Sequence, residues 1–107
     1  MSGILFGNFQ AIGVASVTLS PASVAANTSA EQTFTVPGIL ATDTILSVVK
    51  PTAQAGVAIV GWRASAANTV AITFGNFTAS PIVPTASQVY QITWGRPESV
   101  QTAVAGV

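Results

Sequence analysis

The chain of 107 residues has no cysteine and no histidine. Without thiols it can form no disulfide and offers no nucleophilic or redox-active sulfur. Without imidazole it lacks the commonest metal ligand and the usual general base near neutral pH. Charge is almost as scarce: 6% of the residues are Asp, Glu, Lys or Arg, against about 25% in an ordinary soluble domain. They are Glu31, Asp43, Lys50, Arg63, Arg96 and Glu98, and they cancel. A neutral chain has no electrostatic footprint for nucleic acid or for an anionic membrane surface. The three acids are too scattered for a glycosidase pair or a calcium loop, and no Walker-type phosphate loop occurs. Ser–Lys catalysis would need Lys50 buried beside a serine, whereas Lys50-Pro51 reads as a strand end. The expectation is a protein that is not an enzyme, with no cofactor, no metal and no small-molecule substrate.

Half of the residues are hydrophobic. A neutral, apolar chain tends to associate. Either much of its surface is interface, or it is covered by the abundant Ser, Thr, Asn and Gln. The stretch 64–95 contains no charge and is long enough to cross a membrane. Asn68, Gly75, Asn76, Pro81, Pro84 and Gln88 interrupt it, however, and its period is two, so no spanning helix is expected. The first thirteen residues lack a basic region, so no secretory leader is expected. On that reading the glycosylation matches at Asn27 and Asn76 are coincidental.

The punctuation is that of an all-β chain: Pro or Gly recurs at short intervals, with β-branched residues crowded between. Strands are expected at Val14–Ser20, Glu31–Val36, Thr44–Lys50, Val57–Ala64, Thr69–Phe74 and Gln88–Trp94. Alternation places Val17 and Leu19 on one face of the first. It gathers Val70, Ile72 and Phe74 in the fifth, and Tyr90, Ile92 and Trp94 in the sixth. Gly61 signals a bulge or a close backbone approach within VAIVGWRA, which should form a hairpin with the strand after it. Short strands with turn signals between them imply one small β-sandwich, jelly-roll-like or alternatively immunoglobulin-like. Residues 1–13 read as a flexible N-terminal arm, 14–95 as the sandwich domain and 96–107 as a C-terminal tail.

The tetrapeptide Ala-Ala-Asn-Thr occurs twice, at 25–28 and 66–69, each time shortly before Thr-Phe. The flanking sequences differ, so duplication is not supported. The chemical reading is that Asn turns the chain in a left-handed conformation and Thr begins a strand. FGNF at 6–9 and 74–77 is a second echo, also too short to establish a repeat.

The candidate functional residues are interface residues. Trp62-Arg63 lies in an otherwise apolar strand and Trp94 is followed closely by Arg96. Trp and Arg are enriched at binding hot spots, but an outward Arg beside a core Trp fits equally well. Tyr90 and Trp94 share a face and could form a sugar-binding platform or belong to the core. Ile4, Leu5, Phe6 and Phe9 are apolar residues in a glycine-spaced arm that could clasp a neighbouring subunit.

The segments AEQTFTVPG, GVAIVGWR, SAANTVAITFGN and PTASQVY, within residues 17–94, give the chain a resemblance to small structural proteins of tailed bacteriophages. It is most similar to capsid decoration, or cement, proteins and related virion β-sandwich modules. The resemblance implies a protein on the capsid exterior of a virion that stabilises the shell by bridging major capsid protein subunits. A homo-oligomer, dimer or trimer, is expected, and the neutral composition leads to no expected nucleic-acid or membrane partner. The alternative is a tail-fibre or head-fibre module that binds a host receptor or glycan. The residues after Trp94 match no pattern of the family.

Overall fold

The structure, a computed structural model, describes residues 9–98. Six strands follow one another: β1 (Phe9–Leu19), β2 (Thr28–Thr35), β3 (Thr44–Val49), β4 (Val57–Ala66), β5 (Thr69–Asn76) and β6 (Gln88–Pro97). They form two three-stranded antiparallel sheets, ordered β1-β6-β3 and β2-β5-β4. The sheets pack as a small β-sandwich. Only β4 and β5 are neighbours both in sequence and in a sheet; every other connection crosses between sheets. The immunoglobulin-like order instead keeps several consecutive pairs in one sheet. The interleaving seen here is therefore jelly-roll-like.

The core follows from the period of two. Val70, Ile72 and Phe74 project inward from the central strand of one sheet, and Tyr90 and Ile92 from that of the other; all five are fully buried. Burying such a side chain contributes about 1.5–3 kcal/mol. Leu19, Val24, Val36, Ile39, Ile45, Val48 and Val57 complete the core, three of them from crossing loops.

The two Ala-Ala-Asn-Thr copies perform the same local step. Asn27 and Asn68 both take left-handed backbone angles, with φ of 53° and 57°, which asparagine tolerates better than most residues. Thr28 and Thr69 then open β2 and β5. Those two strands pair directly: Phe34 faces Val70 and Ala30 faces Phe74. The copies thus enter neighbouring strands from opposite ends of one sheet.

Several strands are longer than sequence alone indicates. β1 starts at Phe9, so residues 9–13, read above as arm, pair with β6. β6 continues to Pro97, so Arg96 and Pro97 belong to the sheet rather than to a tail. The physical reason is a pair of glycine contacts. Phe9 lies over Gly95, where an added Cβ would meet its ring at 2.7 Å, and the Trp94 ring lies over Gly13, where a Cβ would meet it at 2.5 Å. Each glycine leaves the space that the aromatic ring needs. The bulge expected at Gly61 is present as a register shift between Ile59 and Gly61. The rest of the proposed arm, with Ile4, Leu5 and Phe6, and residues 99–107 of the proposed tail lie outside the described residues.

Because the Trp94 ring occupies the space a side chain would need, Gly13→Val is expected to destabilise the fold by about 1–3 kcal/mol. Urea denaturation would measure this, and an unchanged midpoint would show that the ring contact does not matter.

Candidate interaction surfaces

The structure places the candidate residues in three settings. Trp62 lies on β4 opposite Ile72, on the inner face, and donates its indole N–H to the Ile45 carbonyl at 3.0 Å. It therefore links the edge strands β4 and β3 across one seam of the sandwich, with 39% of its surface exposed. Arg63, the next residue, points outward. Its guanidinium makes a two-point contact with Glu31, both bonds 2.9 Å long, across β5. Beneath them Ala71, though on the outer face, is fully buried. Hydrogen bonding to Arg63 holds the Glu31 carboxyl below its ordinary range. Both groups are solvated, so the pair adds little to stability.

Trp94 and Arg96 do come together. The guanidinium carbon lies 4.9 Å from the centre of the indole ring, within cation–π distance. Arg96 also grips Asp43 through two bonds of 3.0 and 2.9 Å and donates to the Gly38 carbonyl at 2.8 Å. The Asp43 side chain is inaccessible to solvent, and it accepts the Leu40 N–H as well. Hydrogen bonds from Arg96 lower the Asp43 carboxyl below its ordinary value of 3.8, outweighing the opposing effect of burial. The Trp94–Arg96 pair is thus a clasp that fastens the end of β6 to the loop at 38–43.

The proposed sugar platform is not at the surface. Tyr90 and Trp94 share a face, but it is the inner one, and Tyr90 is fully buried. Burial raises the Tyr90 phenol pKa, and its hydroxyl has no hydrogen-bond partner among the described residues. Lys50 is capped by the Thr52 carbonyl at 2.8 Å.

The exposed apolar residues lie mostly elsewhere. On the outer face of β1-β6-β3 stand Ile12 and Val14, each 62% exposed, together with Val49 and Val89. Their partners there include Ser16, Thr18, Gln91 and Thr93, and none of these residues is charged. Phe9 covers Gly95 at one end of this face. On the opposite broad face, Val60 at the β4 bulge and Phe77, 67% exposed, flank an open pocket of about 500 Å³ that also involves Asn27, Ser29 and Gly75. Sequence reasoning missed both surfaces. The signal for the first was present: extending the period of two back from Ser16 and Thr18 places Ile12 and Val14 on the same outer face.

Comparison with protein-family models, with curated proteins and with solved structures finds no match to this chain.

A depressed folded-state pKa means that Asp43 contributes stability at pH values above its unfolded value, and that this contribution is lost as pH falls through the folded value. Arg96→Met strands a buried carboxylate, whereas Arg63→Met leaves a solvated one. Arg96→Met should therefore lower the thermal unfolding midpoint more than Arg63→Met at about pH 7, with the difference shrinking below about pH 4. Calorimetry across that range would test it; equal midpoints at neutral pH would mean that the clasp adds nothing.

Proposed function

We propose that the protein is a structural virion protein that binds the outer surface of a phage capsid and stabilises the shell by bridging major capsid protein subunits. The observation that carries this reading is the pair of apolar surfaces on opposite broad faces of one small sandwich: Ile12, Val14, Val49 and Val89 on an uncharged face, and Val60 and Phe77 on the face that also carries the mutually neutralised Arg63–Glu31 pair. A bridging protein needs two contact surfaces, and apolar patches of this kind mark interaction sites. Two of the three acids are paired with arginines of the same chain. Attachment would therefore rest on apolar burial and neutral hydrogen bonds, and it would tolerate salt well. The resemblance of residues 17–94 to decoration proteins points the same way. The fibre-module alternative loses its Tyr90–Trp94 platform and would have to rely on Phe77 and the pocket beside it.

The test is to add purified protein to expanded empty capsids. Binding should raise the temperature at which they disassemble, and it should persist at high salt. Binding without a rise in that temperature would remove the stabilising role. Val60→Lys combined with Phe77→Lys should leave the fold intact and weaken capsid occupancy at least about tenfold, as expected when apolar anchors at an interface are replaced.

A further inference from the structure

A β-sandwich of this kind has four sheet edges, and unpaired edges recruit other strands unless something blunts them. Three of the four are blunted. β2 carries Glu31, and the Gln32 side chain bonds both the N–H and the carbonyl of Ala22, at 2.8 and 2.9 Å, which ties a crossing loop to that edge. β3 has six residues, a bulge between Ile45 and Ser47, and Trp62 on the Ile45 carbonyl. Lys50 and Pro51 follow it at once. β4 carries Arg63 and two bulges.

β1 has none of these devices beyond its first residues. Its eleven residues, FQAIGVASVTL, contain no charge and no proline. Its one irregularity lies at the very start, between Phe9 and Ala11. Among the described residues its backbone pairs with β6 alone. Its inward residues Ala15 and Val17 are only half-buried, so the inner side of this edge is incompletely covered.

We infer that β1 is the interface of a homodimer, in which two copies pair β1 to β1 antiparallel and form one continuous six-stranded sheet. The occupant is a second copy for two reasons. A two-fold axis brings like residues together, and a strand without charge meets its own copy without repulsion. The strand is also complementary to itself in one register. With Gly13 facing Gly13, Ile12 faces Val14 of the second copy and Val14 faces its Ile12. Gln10 then faces Ser16 and Ala11 faces Ala15. A shift of one residue would turn outward side chains against inward ones. Shifts of two residues keep one apolar pair, Val14 with Val14 or Ile12 with Ile12, but place Ile12 against Ser16 or Val14 against Gln10, whereas the register centred on Gly13 keeps two. The favoured register therefore joins the exposed apolar residues of both copies into a single stripe. This dimer does not depend on capsid binding.

Sedimentation equilibrium of the full chain tests it. The wild type should be a dimer at roughly 100 µM, a concentration at which even modest affinity populates the pair. Ile12→Lys with Val14→Lys sets like charges opposite one another and should weaken the dimer at least about tenfold, whereas Ile12→Lys with Val14→Glu sets opposite charges across the axis and should stay within about threefold of wild type at low salt. A monomeric or trimeric wild type overturns the inference. So do equal losses in both variants, which indicate packing through the sheet face, and undiminished association in both, which indicates a contact elsewhere. Circular dichroism separates loss of the dimer from loss of the fold. Amide exchange supplies a readout that needs no substitution: across Gln10–Val17 it should slow at least about tenfold from dilute to concentrated protein. Exchange independent of concentration overturns the pairing.

Discussion

The contact between the inner faces of β5 and β6 is the constraint on which the rest of the structure depends. Val70, Ile72 and Phe74 on one side and Tyr90 and Ile92 on the other exclude water completely. A chain with six charges and no cysteine has few other means of holding two sheets together. Once these two strands are central, β1 and β3 must flank β6 and β2 and β4 must flank β5, so the connections have to cross the sandwich. The glycines at 13 and 95 follow from the same requirement, because the end of β6 carries an indole inward and lies beneath a phenyl ring.

The crossing loops are fastened by neutral amides where many proteins would use charge. Asn76, almost fully buried, donates to the carbonyls of Val24 and Ser80 and accepts from the Thr78 N–H and hydroxyl, so all its polar capacity is met. Asn68 accepts from the Gly38 N–H. Gln54 donates to the Val83 carbonyl and accepts from the Thr85 N–H. Gln32 does the same work at Ala22. Amides hold loops without the desolvation penalty of a buried charge. Among the described residues the one ion pair that is substantially buried, Arg96 with Asp43, lies where the end of β6 is joined to the loop that leads into β3.

This economy leaves the outer surfaces neutral. Two faces display apolar side chains, and one edge displays a strand that no other described residue covers. Under the proposed function, a sandwich so built would associate through shape and burial rather than through long-range steering. That is the physical basis for reading the protein as a structural module of an assembly.

Much of this was legible along the chain. Six strands, their inward and outward alternation, the bulge near Gly61 and the turning role of Asn27 and Asn68 all follow from local chemistry. Residue types report directly on a pleated backbone with a period of two, and on which residues accept a left-handed turn. The scarcity of charge, too, is a property of composition alone. What tertiary structure decided was pairing. Nothing local says that the two Ala-Ala-Asn-Thr strands are neighbours, that Arg63 finds Glu31 and Arg96 finds Asp43, or that Tyr90 is sealed inside. Nor does it say that β1 reaches back to Phe9. Those outcomes depend on which strand lies beside which, and that is set by contacts between residues far apart in sequence.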